Sequence, residues 1–305
     1  MTVQPPSQDH RAGFAALYGN PNSGKSSLLN RILGEDLSIV SPFPQTTRKK
    51  ILGIKSGEGY QVIFMDMPGF LAPSQKKNFL LDDYMERVLS EGLDDADCII
   101  LLWPPEEDTA SITETRSRIT SMTRTPVLTA VSKSDLLKSG EIEKRVHMIA
   151  DEFAQKDARA VSSRTGAGVK ELLEDIKNIL PLSPPYYPVD QLGTEEERFF
   201  VAEFIRESVM RSLHEEIPYS TTVEIEAFKE RPRGKTYIAA SVITERESQK
   251  PILIGEKGRM IRKIGEDSRR RIESFLGREI YLELRVRVEK NWRKDKKLLK
   301  YLGYR

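Results

Sequence analysis

Cysteine, histidine and long apolar runs are scarce in this 305-residue chain. The one cysteine, Cys98, excludes an internal disulfide and argues against a thiolate metal site; set in the apolar run DCIILLW, it is expected in the core. The histidines His10, His147 and His214 show no catalytic or metal-binding spacing, so surface or packing roles are expected. No apolar run approaches the ~20 residues needed to cross a bilayer. The start, MTVQPPSQDHRAG, lacks the basic and apolar regions of a signal peptide, so the expected compartment is the cytoplasm.

What the chain does have is a globular composition, with 38% hydrophobic and 31% charged residues, over a length that favours two domains. Its net charge of +2 hides an asymmetry. From Lys250 to Arg305 there are 18 Lys and Arg against 8 Asp and Glu, a net of +10, leaving 30 against 38, or −8, before it. A basic end on an otherwise acidic chain is the footprint of a nucleic-acid or anionic-surface binder, with a solvated basic face as the alternative.

From Phe14 to about residue 180, short apolar runs alternate with amphipathic ones, the pattern of a parallel sheet with crossover helices. FAALY, ILGIKS, YQVIFMD, DCIILLW, PVLTAVS and ARAVSS read as strands; the Gly-Glu-Gly tip between the second and third predicts a hairpin and one antiparallel strand. Helices are expected at about 24–33, 79–93, 110–123, 140–155 and 167–179. Four prolines from Pro181 to Pro188 then mark a boundary. The expected division is a first domain over 1–182, a linker over 183–194 and a second domain over 195–305. In the second domain the order is helix, strand, strand, helix, helix, strand and a basic tail, a small α+β arrangement.

Gly19, Gly24, Lys25 and Ser26 fit G-x-x-x-x-G-K-[ST] between a strand and a helix. The backbone of Asn20, Pro21, Asn22, Ser23, Gly24 and Ser27 would cradle phosphates, Lys25 would reach the β and γ positions, and Ser26 would ligate Mg²⁺. That loop alone indicates only an NTPase. The strand-end motifs that follow choose the base. In DMPG, Asp66 can hold Mg²⁺ through water and the Gly69 N–H can meet a γ-phosphate. In SKSD, comprising Ser132, Lys133, Ser134 and Asp135, the Asp135 carboxylate can accept the two N–H groups of guanine, a pair adenine lacks. In SSR, Ser162, Ser163 and Arg164 can supply a backbone N–H to the guanine keto oxygen. Four motifs in this order at strand carboxyl ends indicate a GTP-binding domain.

On these motifs, with SIVSPFPQTTRKKILGI, VSSRTGAGVKEL, PYSTTVEIEAF, LIGEKGRMIRKIG and NWRKDKKLLKYLGYR, the chain resembles the translation-factor-related GTPases, and within them the Era family of bacterial ribosome-assembly GTPases. The resemblance covers nearly the whole length. It implies a P-loop α/β domain with a mixed, mostly parallel sheet, followed by a smaller type II KH domain. It also implies that Thr47, with Thr46 as the alternative, is the Mg²⁺ ligand of the first switch, beside Ser26 and Asp66. Asn22, Lys25, Thr47 and Gly69 are then the residues nearest the chemistry. Family members with asparagine at the place of Asn22 use a bound K⁺; a purely loop-shaping Asn22 is the alternative.

Two departures stand out. Ser132 replaces the family's asparagine and is too short to span both base and phosphate loop, so weaker nucleotide binding with retained guanine preference is expected. Met67 replaces threonine with mild effect. Phe70 occupies the place at which Ras carries a water-positioning glutamine, so slow intrinsic turnover is expected.

In the basic domain, Gly255, Glu256, Lys257 and Gly258 form the GXXG of a KH domain, flanked by Ile254 and followed by Arg259, Arg262, Lys263 and Arg269 to Arg271. Lys257 is expected to carry the charge contact; Tyr281 and Trp292 are expected to pack rather than stack bases. The resemblance implies the single-stranded 3′ end of 16S rRNA and the 30S subunit as partners, and a monomer. The basic tail leaves room for peripheral association with the inner membrane, ranked below RNA. The expected mechanism is a GTP-dependent switch; an RNA-binding adaptor with little turnover, and an ATPase or kinase, are its rivals.

Overall fold

The computed structural model describes residues 9–41, 46–70, 79–155, 158–231 and 234–304. The chain divides into two compact units. The first comprises Met1–Ser38, Thr47–Gln75 and Met85–Thr194; the second comprises Ile39–Thr46, Lys76–Tyr84 and Glu195–Arg305. Gln45 of the QTTR segment lies outside the described residues.

The first unit is built on a sheet in the order β2-β3-β1-β4-β5-β6. Its strands are β1 Arg11–Tyr18, β2 Ile51–Gly57, β3 Tyr60–Asp66, β4 Cys98–Trp103, β5 Val127–Val131 and β6 Arg159–Ala160. β2 runs antiparallel to β3 and the other neighbours are parallel, as the Gly-Glu-Gly tip predicts. Helices α1 Lys25–Leu33, α2 Leu80–Asp95, α3 Thr109–Met122, α4 Ser139–Glu152 and α5 Val169–Ile179 complete the alternation. β4 is buried at every residue, Cys98 included, as expected of a strand covered on both faces. Because the parallel strands point one way, the chain leaving Tyr18, Asp66, Trp103, Val131 and Ala160 emerges along one edge, where such sheets bind ligands.

The sequence overstates one strand. ARAVSS contributes only Arg159–Ala160, because after Val161 bonds back to Val131 the backbone turns: Ser162 N–H donates to Ala167 and Gly166 N–H to Ser162. The proline-rich segment belongs to the first unit, fastened by Gln61 of β3, whose side chain is fully buried. Its Oε1 accepts from Tyr186 N–H at 2.8 Å and Tyr187 N–H at 2.9 Å, while Nε2 donates to the Tyr187 carbonyl at 2.8 Å.

In the second unit the strands β7 Thr222–Lys229, β8 Thr236–Thr244 and β9 Ile280–Val288 form a sheet in that order, β7 antiparallel and β9 parallel to β8. Helices α6 Glu197–Ser212, α7 Lys250–Ile254, α8 Arg259–Leu276 and α9 Lys296–Tyr301 accompany it, in the predicted element order. Phe200 and Phe204 of α6 meet Phe275 of α8 at ring separations of 5.2 Å each. Trp292 packs as expected: it is fully buried, donates Nε1–H to the Ser220 carbonyl and stacks on Tyr304. Tyr281 is 58% exposed and packs on its register partner Tyr237 across β8 and β9. The described part of Lys76–Tyr84 is held by side chains of the same unit: Phe79 lies beneath Arg293, and Tyr84 meets Tyr304 edge-on.

Gln61→Leu would keep the volume and remove the three part-buried hydrogen bonds to the backbone of Tyr186 and Tyr187, at about 0.5–1.5 kcal/mol each at most. Urea unfolding of the variant is expected to show a lowered midpoint with unchanged nucleotide affinity; an unchanged midpoint would mean that the segment is not fastened through Gln61.

Candidate functional site

The loop after β1 is set by a turn in which Ser23 N–H donates to the Asn20 carbonyl, and α1 starts after Gly24, whose φ is +98°. Lys25 is 6% exposed, and its ammonium donates to the carbonyls of Gly19 and Asn20 at 3.0 Å each. Burial pulls this ammonium down to about 8, against the opposing pull of the Asp66 and Glu107 carboxylates. Asn22 is exposed in a left-handed conformation, and Ser27 is half-buried in the first turn of α1.

Asp66 closes β3 and is fully buried. Ser26 Oγ donates to its Oδ2 at 2.6 Å, and Thr47 Oγ1 stands 3.0 Å from Ser26 Oγ and 3.5 Å from the same carboxylate oxygen. The hydroxyl that joins this cluster is therefore that of Thr47. Burial raises the carboxyl of Asp66 above its usual range, while the Ser26 hydrogen bond and the Lys25 ammonium hold it down. Its second oxygen, Oδ1, is buried with no hydrogen-bond partner among the described residues. Gly69 follows against the loop; a Cβ there would stand 2.8 Å from Pro21 N, so the close approach requires glycine. Phe70 turns inward: it is 8% exposed, packed on Tyr18 with Arg118 over its ring.

At the other end of the cleft, Ser132 Oγ donates to the Ser23 carbonyl at 2.8 Å. Serine thus reaches the loop, and the shortfall expected from its length falls on the base side. Asp135 accepts from Ser162 Oγ at 2.5 Å and pairs with Arg164 at 2.6 Å. The Ser162 hydroxyl, and beside it Arg164, hold this carboxyl below the usual range. Lys133, left-handed at φ +51°, pairs with Glu106, and Ser163 is half-buried beside the turn. The structure brings these residues to the strand edge that holds the loop.

Sequence reasoning missed Glu107. Its Oε1 accepts from Asn20 Nδ2 and Ser111 Oγ at 2.9 Å each, and burial raises its carboxyl. Only the acidic run just before α3 hints at it, because no motif fixes a residue in the loop after β4.

In the second unit, Gly255 (φ +71°), Lys257 (φ +51°) and Gly258 (φ +76°) shape an exposed turn that leads into α8. Beside it lies a groove of about 450 Å³ between α8 and β9, lined by Gly258, Ile261, Arg262, Gly265, Glu266, Arg269, Leu282 and Leu284. Of the predicted RNA residues, Gly258 and Arg262 line it. Outside the lining, Glu256, Lys257, Arg259 and Lys263 are exposed, and Ile254 and Gly255 are half-buried. Arg271 is turned away to pair with Glu207. The missed residues carried a signal: Ile261 and Gly265 share the helical face of Arg262 and Arg269, and Leu282 and Leu284 alternate on a strand.

A family profile described as a 50S ribosome-binding GTPase matches residues 14–133, and one described as a KH domain matches residues 216–293. GTPase Era of Geobacter sp. (strain M21) is 41% identical over 299 residues, covering 96% of this chain and 98% of that protein. The chloroplastic GTPase ERA1 of Zea mays is 38% identical, covering 97% of this chain and 71% of that protein. Among solved structures, Era in complex with MgGDPNP and nucleotides 1506–1542 of 16S ribosomal RNA aligns with a TM-score of 0.91 at 32% identity, covering 97% of this chain and 99% of that one. A single-residue variant of Aquifex aeolicus Era bound to GDP·AlF4⁻ aligns with a TM-score of 0.90, also at 32% identity, covering 96% and 99%.

Ser132→Ala removes a buried hydrogen bond worth about 1 kcal/mol net, so affinities for GTP and GDP are expected to fall together by about fivefold. Fluorescent-nucleotide titration measures this. A loss confined to one nucleotide would contradict a contact made only to the loop.

Proposed function

The chain belongs to the Era family of GTPases, and from that premise we propose that it binds the single-stranded 3′ end of 16S rRNA and uses its GTP cycle to assist assembly of the 30S subunit. The observation that carries the nucleotide half is the Ser26, Thr47 and Asp66 cluster. Two hydroxyls and a buried carboxylate, one of whose oxygens has no partner among the described residues, form the hard, oxygen-only donor set that suits Mg²⁺. When bound, Mg²⁺ offsets phosphate charge. The protein's own contributions are then distinct. Lys25, held at the loop carbonyls, supplies positive charge beside the phosphates. Gly69, pressed against Pro21, offers a backbone N–H at the γ position. Asp135 reads guanine, with Ser162 and Arg164 fixing its orientation.

Phe70 is packed on Tyr18 and carries no polar group to orient an attacking water, which supports slow intrinsic turnover. Asn22, exposed beside the loop, is the residue we assign to a K⁺ site. Turnover is expected to be several-fold faster in KCl than in NaCl; equal rates would reduce Asn22 to a loop-shaping role.

For RNA, the turn at Gly255–Gly258 and the groove beneath it supply what KH recognition needs: a helix N-terminus and close backbone for phosphates, and an apolar floor with cations at its side. This reading gives 1–182 to nucleotide, 183–194 to the connection and 195–305 to RNA, in a monomer. No helix among the described residues is long and apolar enough to cross a membrane. The basic charge of the C-terminal region also supports a weaker, peripheral association with acidic lipid.

Two measurements test the proposal. Multiple-turnover phosphate release, with guanine nucleotides outcompeting ATP, is expected; GTP binding without release would favour the adaptor reading. A labelled RNA bearing the 16S 3′ sequence is expected to bind more tightly with a GTP analogue than with GDP. Gly258→Asp should abolish that binding in a folded protein, because nothing lies within 4 Å of the added Cβ, although the positive φ adds some strain. Equal RNA affinity in all nucleotide states would contradict the switch.

A further inference from the structure

The loop between β4 and α3 carries a charged side chain into the interior of the first unit. Glu107 is 8% exposed, and its Oε1 accepts from Ser111 Oγ and from Asn20 Nδ2 at 2.9 Å each. Its Oε2 is buried with no hydrogen-bond partner among the described residues. The backbone around it is firmly held. Trp103 Nε1–H donates to the Glu107 carbonyl at 2.8 Å, and Glu107 N–H donates to the Pro104 carbonyl at 3.2 Å. Arg145 of α4 lies over the Trp103 ring and donates to the carbonyls of Pro104 and Pro105 at 2.9 and 3.0 Å. All of these residues, Asn20 included, belong to the first unit.

Neither packing nor capping calls for this carboxylate. An apolar side chain would fill the same space without burying a charge and leaving one oxygen unpaired. The N-cap of α3 is Asp108, whose side chain accepts from Ser111 N–H, so the helix start is already served. What the carboxylate adds is a charged acceptor for the Asn20 amide, the stronger kind of hydrogen bond. Asn20 follows Gly19 in the phosphate loop, where several contacts converge. The Asn20 carbonyl accepts from the Lys25 ammonium and from Ser23 N–H. The Gly19 carbonyl accepts from the same ammonium and from Phe70 N–H at 3.4 Å. Next in the chain is Pro21, against which Gly69 is pressed. The Asn20–Pro21 peptide is one rigid plane, so fixing Asn20 fixes what Gly69 meets.

We propose that Glu107 is a positioning residue for the phosphate loop: through the Asn20 amide it holds the Gly19–Pro21 stretch, on which Lys25 and Gly69 both bear. The loop after β4, which no motif marks, is then a fixed wall of the nucleotide cleft. The proposal rests on the reading of Gly19–Ser26 as the phosphate cradle. Lys25 serves the phosphates of GTP and GDP alike, so loss of the anchor weakens both nucleotides. Gly69 serves only the γ position, so the same loss also slows hydrolysis of GTP already bound. General loosening of the fold would lower the number of competent sites and leave the rate at each competent site unchanged.

The test uses the full chain with Mg²⁺ present. Calorimetry gives the affinities for GDP and for a non-hydrolysable GTP analogue, together with the fraction of competent sites. Phosphate release at saturating GTP then gives turnover per competent site, and melting curves report folding. Glu107→Ala and Asn20→Ala each remove the contact; Glu107→Gln keeps an oxygen acceptor for Asn20 and drops the charge. Each alanine variant is expected to weaken both nucleotides about tenfold, the order expected for one hydrogen bond to a charged group, and to lower turnover per site. The double alanine variant should be no worse than either single one, and Glu107→Gln should recover most of the loss. Additive losses, or a glutamine variant as weak as the alanine one, would show that Glu107 does not act through Asn20 and overturn the proposal. If Glu107→Ala does not fold, Asn20→Ala and Glu107→Gln decide: the first must weaken both nucleotides and the second must not. Lys25→Ala is the reference. If it weakens nucleotide binding and the variants at 20 and 107 do not, the anchor alone is wrong. If Lys25→Ala leaves affinity unchanged, the cradle reading fails and the proposal fails with it.

Discussion

The 2.6 Å hydrogen bond from Ser26 to Asp66 ties the first turn of α1 to the tip of β3, and much of the site is arranged around the carboxylate it serves. A buried carboxylate is costly, and this one retains an oxygen with no protein partner among the described residues. The cost is offset by the Lys25 ammonium nearby and by two hydroxyls, one from α1 and one from Thr47 just ahead of β2. Three segments far apart in sequence are drawn to one point by one charge. A cation between that charge and a phosphate would satisfy the orphan oxygen, so the cost of burying the carboxylate is repaid when nucleotide binds.

The two halves of the chain meet their anions by the same local device. Helix α1 begins after Gly24 and helix α8 after Gly258, both left-handed, so that in each case the first free N–H groups of a helix face outward past a residue with no side chain. They differ in what surrounds the device. In the first unit, strand-end loops close around it with a buried lysine and aspartate. In the second, it opens on an exposed groove with Arg262 and Arg269 on one side and Leu282 and Leu284 on the floor. The first arrangement suits a compact, highly charged ligand, the second an extended strand with accessible base edges.

Much of this was legible in the sequence because it depends on local rules. The Gly-Glu-Gly tip marks the β2–β3 hairpin, and the phosphate loop needs only its own glycines and the strand before it. The parts that were not legible depend on tertiary partners. ARAVSS reads as a full strand, but the Ser162 turn ends it after Ala160. The reach of Ser132 to the Ser23 carbonyl follows from how close the two loops come, which no motif states. Arg206 and Glu207 look like the solvated face of an amphipathic helix. Both are buried, Arg206 against the Thr46 carbonyl and Glu207 against Arg271 of α8, and no periodicity in α6 reveals that.

The account joins the two halves through linkage: if GTP favours the RNA-competent state, RNA must tighten GTP by the same factor. Titrating a GTP analogue and GDP calorimetrically, with and without saturating 16S 3′-end RNA, tests this most directly. The predicted result is a rise in GTP-analogue affinity equal to the factor by which the analogue tightens RNA, with GDP affinity left behind. Identical GTP-analogue affinity with and without RNA would show that the halves bind their ligands independently, and the switch would be the wrong description.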